Sequence, residues 1–199
     1  MEKYGQAQKG DINVNKLAPW IILGLVAVLI LMGVSSYNGL VSLNEQINGK
    51  WSQVENQLQR RADLIPNLVN TVKGYAAHEQ QAIQAVADAR ARLAGAPPGP
   101  VAKAEANNAL SGALSRLLVI AENYPDLKAD KNFRALMDEL AGSENRIAVA
   151  RKDYNDAVQG YNTKIRSFPA SLFAGMMGFS AKEYFKAEEG AKAVPQVNF

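Results

Sequence analysis

The chain has 199 residues, room for one modest domain and an anchoring or targeting segment. It contains no cysteine, which excludes disulfides, thiolate catalysis, iron–sulfur clusters and cysteine-based zinc sites together. Its 22 basic and 19 acidic residues are spread along the sequence, and a net charge of +3 is too balanced for a dedicated nucleic-acid binder, whose basic residues would gather in a patch.

Residues 1–16 form a polar leader. LAPWIILGLVAVLILMGV, 17–34, carries no charge. About 18–20 residues at 1.5 Å each reach roughly 27–30 Å, the thickness of a bilayer core, so 17–36 is expected to be a transmembrane helix that meets lipid from Leu17 to Ser36. Cleavage as a signal peptide at GVSS, 33–36, is the competing reading. The apolar run exceeds the usual core of roughly 7–15 residues, which favours a retained anchor. Lys3, Lys9 and Lys16 precede the anchor, and only Lys50 follows it closely. The positive-inside rule then places the N-terminus in the cytoplasm and the bulk of the chain outside, at a bacterial inner membrane.

From Leu40 through Ile47, Trp51, Val54, Leu58, Ala62, Ile65, Val69, Val72, Ala76, Ile83 and Val86 to Leu93, apolar residues recur at spacings of three, four or seven. This heptad-like stripe predicts one helix over 37–94. Pro66 interrupts it, but the stripe keeps its phase across the proline, which predicts a kink near 63–66 rather than a reversal. Arg60 and Arg61 suit the end of a lower segment, with Asp63 as N-cap of the upper one. LAGAPPGPV, 93–101, is a loop. A second helix is expected over 101–124, its LSRLLVIA core apolar on nearly every side and ended by Pro125. YPDLKAD, with Pro125 and Asp126, is a turn, and Asp130 is a plausible N-cap for a third helix over 130–167. SAKE at 180–183 has the form of a capping box and predicts a short fourth helix, 180–189, before a tail at 186–199.

The fold class that follows is all-α: an anchor, then an elongated antiparallel up-and-down bundle of three long helices and a short fourth over 37–185. A long two-arm hairpin, with 101–168 lying against 36–94, is the alternative. In the bundle the lower half of the first helix would stand as an uncovered stalk. Ile47, Trp51, Val54 and Leu58 are therefore candidate interaction residues, because a bare apolar stripe normally has a partner.

At this point three blocks carry a resemblance: YNGLVSLNEQINGKWSQVENQLQRRADLIPNLVNTVKGYAAHE, then AENYPDLKADKNF, then SENRIAVARKDYNDAVQGYNTKIRSFP. In order and spacing, from about Tyr37 to Phe185, the chain closely resembles the LemA family of bacterial membrane proteins. The resemblance implies a short leader, one anchor and a four-helix up-and-down domain. It implies no catalytic residue and no cofactor.

The residues themselves offer little chemistry. His78 is the sole histidine, and HEQQ at 78–81 lacks the second imidazole of a helical zinc site. Glu122, Asp126, Glu144 and Asp153 have basic neighbours, and Ser111 and Ser115 have no histidine base. Neither an enzyme nor a metal or cofactor site is expected. The Tyr-Asn pairs at 37–38, 154–155 and 161–162 read either as a ligand ladder or, preferably, as seam packing that fixes register. Arg60, Arg61 and Asp63, with Asn67 and Asn70, are expected to satisfy backbone freed by Pro66 and to pair with Asp126 or Asp130. Phe173, Met176, Met177 and Phe179 either close the bundle's end or dock on membrane or another subunit. The expected function is a membrane-anchored, non-catalytic protein that self-assembles, as a homo-oligomer, or scaffolds other envelope proteins. A module that binds a peptide, lipid or signalling partner is the alternative, and no nucleic acid is expected.

Overall fold

The computed structural model describes residues 14–186, with side chains from Pro19 onward. Most of the expected leader and of the tail lie outside the described residues, as does the end of the expected 180–189 helix. The order is α1 (Val14–Tyr75), α2 (Gln80–Gly95), α3 (Pro100–Ala121), α4 (Pro125–Ala129), α5 (Lys131–Arg166) and α6 (Ala170–Phe173), and no strand occurs among the described residues.

Helix α1 has 62 residues, about 93 Å of unbroken helix that begins as the anchor and ends as the bundle's main arm. From Pro19 to Leu31 every side chain is exposed, apolar ones from Trp20 onward included, as a helix made for lipid requires. Above that, Leu40, Ile47, Val54, Leu58, Ile65, Leu68 and Val72 are buried on one face.

The helix passes through Pro66 without a break. A proline removes the N–H that would bond to the carbonyl four residues back, here that of Ala62. Arg90 on α2 replaces the missing donor, its Nε donating to the Ala62 carbonyl at 3.0 Å. Arg60, Arg61 and Asp63 do not serve this purpose. Asp63 is exposed within the helix and accepts from Gln59, so it is no N-cap. Arg90→Ala should leave a carbonyl without a partner and cost about 1–3 kcal/mol, read from thermal unfolding. The Pro66→Ala background, which restores the backbone donor, should remove most of that cost.

The chain reverses later than Pro66, at 76–79, where the Glu79 N–H bonds to the Ala76 carbonyl. The expected 37–94 helix is thus two helices, and α2 doubles back along α1. Gly99, at φ +127°, makes the next turn, a conformation that suits glycine, and Pro100 opens α3 in the position where its missing N–H has no cost. Its last turn ends at Ala121, and Pro125 and Asp126 belong to the short helix α4 rather than a bare turn. Asp130 caps α5 as expected, accepting from the Phe133 N–H at 2.8 Å.

The extra reversal decides where α5 goes. It runs down α1, with Tyr75 bonded to Asp130, Arg60 to Glu139 and Lys50 to Asp153. The upper tier is therefore an up-down-up-down arrangement of upper α1, α2, α3 and α5. In the lower tier α1 and α5 pair without α2 or α3, a feature of the hairpin alternative. Phe133, Leu140, Ile147, Tyr154 and Tyr161, seven residues apart, are all buried in this long seam.

Three carboxylates along α5 sit below their ordinary range. Asp130 is held there first by the Phe133 N–H, Glu139 by the hydrogen bond from Arg60, and Asp153 by that from Lys50. A depressed carboxylate contributes stability above its unfolded pKa of about 4 and loses it as pH falls through the folded value. The melting temperature should hold from about pH 7 to 5 and fall below about pH 4, and Asp153→Asn should flatten part of that fall.

Candidate functional site

The lower tier carries the most distinctive site. After α6 the chain turns upward and residues 180–186, the strap, lie as extended chain along α1 and α5; the expected helix does not form here. Two asparagines of α5 hold its main chain at both hydrogen-bonding groups. Asn162 Oδ1 accepts from the Lys182 N–H at 2.8 Å while its Nδ2 donates to the Lys182 carbonyl at 2.9 Å. Asn155 does the same with Phe185, at 2.9 and 3.0 Å. Seven helical residues rise about 10.5 Å and three extended residues about 10 Å, so the two repeats match. Tyr154 adds a hydroxyl bond to the Glu183 carbonyl at 2.9 Å.

One strap side chain is fully seated. Phe185 is 2% exposed, packed beside Trp51 with ring centroids 6.3 Å apart and beneath the Arg151 guanidinium at 4.4 Å. Trp51 also meets the Tyr154 ring at 5.3 Å. Burial raises the phenol pKa of Tyr154 and Tyr161, so both remain neutral phenols. Aromatic contacts and the cation over the ring each contribute on the order of 0.5–1.5 kcal/mol beyond area. The site reads both backbone groups of Lys182 and Phe185, and at Phe185 the aromatic side chain as well. The ladder reading of Asn155 and Asn162 is the one the geometry follows, with the chain's own strap as its ligand.

The candidate interaction residues on α1 fall differently from expectation. Ile47, Val54 and Leu58 are buried and Trp51 half-buried, covered by α5 and the strap within one chain, so they present no stripe to a second copy. The stalk was expected because a three-helix count sent the last long helix upward; the added turn sends it down. Near the membrane, Phe173, Met177 and Phe179 are half-buried and Met176 is exposed, with the Phe179 ring 5.7 Å from that of Tyr37.

At the centre of the bundle, Arg61 is 5% exposed. Its Nη1 donates to Asn107 Oδ1 of α3 at 2.7 Å and pairs with Glu144 Oε2 of α5 at 2.6 Å. Arg60 pairs with Glu139, which also binds Arg146. Neither arginine reaches Asp126 or Asp130. Desolvation lowers the Arg61 pKa, while Glu144 opposes the shift. The signal for Arg61 was in the sequence: it falls in the seven-residue series Leu40, Ile47, Val54, Arg61, Leu68, in a place that otherwise takes an apolar residue. Among the described residues no group of three or more His, Asp or Glu converges as a metal site.

These features define a class: a membrane-anchored helical bundle whose long arm is continuous with its anchor. The LemA family matches residues 50–199, and the chain belongs to that family. It is 29% identical over 190 residues to the magnetosome protein MamQ 2 of Paramagnetospirillum magneticum, covering 83% of this chain and 70% of that one. It is 30% identical to MamQ of Magnetospirillum gryphiswaldense, over 82% of this chain and 69% of the relative. The protein LemA of Metamycoplasma hominis is 21% identical over 82% and 75%.

Proposed function

We propose that the protein is a non-catalytic scaffold of the bacterial envelope, held in the inner membrane with its N-terminus cytoplasmic and its bundle on the outer side, and that copies join by exchanging straps. Lys3, Lys9 and Lys16 against the lone Lys50 support the orientation. The strap seat supports the mode of joining. Its bonds go mainly to main chain, so a strap from a neighbouring copy would make the same contacts as the chain's own. Exchange then has little contact energy against it, and confinement of both copies at one height in a membrane raises their effective concentration. Gly175 and Gly178 lie in the hinge before the strap, with Gly178 at φ +78°. The buried α1 stripe, meanwhile, leaves side-by-side helix packing little to work with.

The absence of native cysteine makes the test direct. Arg151 and Lys186 are in contact across the seat, Arg151 Nη2 donating to the Lys186 carbonyl. Full-length Arg151→Cys and Lys186→Cys proteins, mixed in liposomes and joined by a short bis-maleimide that spans the reach of the lost arginine, should give a covalent dimer that neither forms alone. No mixed dimer at any protein density would refute exchange. The second reading, an extended aromatic-bearing segment of another envelope protein in the same seat, would then take its place.

A further inference from the structure

The membrane-proximal end of the bundle carries apolar groups that its own packing leaves uncovered. Phe168 is 72% exposed, Leu172 57% and Met176 86%, spaced four residues apart through α6 and its flanks. Nearby apolar residues of the same segment are turned inward: Ala170 and Ala174 are buried. The segment thus has two faces, one against the bundle and one bare.

Its depth is fixed by the anchor. A Cβ placed on Gly33 would stand 3.7 Å from the Phe173 ring and 4.0 Å from the Met177 methyl. Gly33 is within the uncharged run 17–34, about 5 Å of helix below Ser36, the expected upper end of the span. Whatever touches Gly33 side by side lies at the level of the outer hydrocarbon boundary. The last turn of α5 brings Lys164 and Arg166, both exposed, to the water side of that level. Basic side chains above apolar ones is the arrangement of a segment lying in the interface, with stems in the apolar layer and charges at the phosphates.

We infer that Phe168, Leu172 and Met176 insert into the outer-leaflet interface and form a second contact with phospholipid, beside the anchor and independent of strap exchange. A single helix can rotate about its axis and tilt in a bilayer. A second contact at the same depth fixes the side of the bundle that faces the lipid.

Single-cysteine versions of the full-length chain test this, with a nitrobenzoxadiazole label at Leu172→Cys or Met176→Cys and at Val119→Cys on exposed α3 as the control. In liposomes of phosphatidylcholine and phosphatidylglycerol, labels at 172 and 176 should emit to the blue of the label at 119. Nitroxide placed high on the acyl chain should quench them more than nitroxide on the headgroup, at every protein-to-lipid ratio. Emission and quenching equal to those at 119 would overturn the inference. So would labels shielded from water yet unquenched by lipid nitroxide, with shielding that rises with protein density, since a second copy would then cover the patch.

Discussion

Replacing Phe185 by alanine is expected to release the strap while the helices stay folded. Truncating a buried phenylalanine costs about 3–5 kcal/mol. The four main-chain bonds from Asn155 and Asn162 each add only about 0.5–1.5 kcal/mol net. Against them stands the entropy of ordering seven residues, on the order of 1–2 kcal/mol each. The strap is therefore held by a narrow margin, and the aromatic anchor supplies the part that alanine removes. Hydrogen exchange reads this directly. The amide protons of Lys182 and Phe185, now bonded to Asn162 and Asn155, should exchange like unfolded chain, while those within α5 keep their protection. Retained protection at Lys182 would mean that the asparagines hold the strap unaided, and lost protection along α5 would mean that the strap is part of the core. The same variant should abolish the mixed cross-link between copies, because an unseated strap has no place to be exchanged into.

The strap also shows where sequence reasoning meets its limit. SAKE has the spacing of a capping box, and nothing within ten residues of it argues against a helix. What decides is 20 to 30 residues upstream: Asn162 captures the Lys182 N–H, which a helix start would leave free, and Asn155 captures the Phe185 N–H, which a helix would need for its own ladder. Local propensity is a weak prior, and four tertiary hydrogen bonds and a buried phenylalanine outweigh it. The reversal at 76–79 was hidden for a different reason. Ala76 and Ile83 are seven residues apart and both buried, so the apolar series keeps its phase across a turn that contains neither proline nor glycine. Continuity at Pro66 was legible from the same series, because there the phase does reflect one helix. The donor that completes that helix, Arg90, was not, since it comes from the element created by the unseen reversal. The anchor, the 93–101 loop and the capped α5 rest on strong local signals, namely an uncharged run, clustered glycine and proline, and an aspartate before an amphipathic stretch. Those held.

Glu144→Ala is expected to destabilise the fold more than Arg61→Ala, although Glu144 is the more exposed partner, its side chain 43% accessible against 6% for Arg61. Removing the carboxylate strands a buried guanidinium, whose Nε already has no hydrogen-bond partner among the described residues. Stranding a buried charge costs about 3–5 kcal/mol. Removing Arg61 instead leaves one buried amide, Asn107, without its partner and a carboxylate buried at Oε2 but 43% exposed as a side chain, so that it can turn to water, for about 2–3 kcal/mol. At roughly 2–4 °C per kcal/mol for a domain of this size, the melting temperature should fall by about 6–20 °C in the first case and 4–12 °C in the second. The double change Arg61→Leu with Asn107→Leu removes both buried polar groups together and should recover most of the loss, as apolar replacement of buried ionic groups often does. If Arg61→Ala proves the worse single change, the long apolar stem of the arginine matters more than its charge. If the double variant recovers stability but shifts the α1–α5 pairing, read from a short bis-maleimide cross-link between cysteines at positions 50 and 153, then the buried ion in the seven-residue series sets register. A single polar residue in an apolar seam tolerates few alignments, because each slip would leave it facing hydrocarbon.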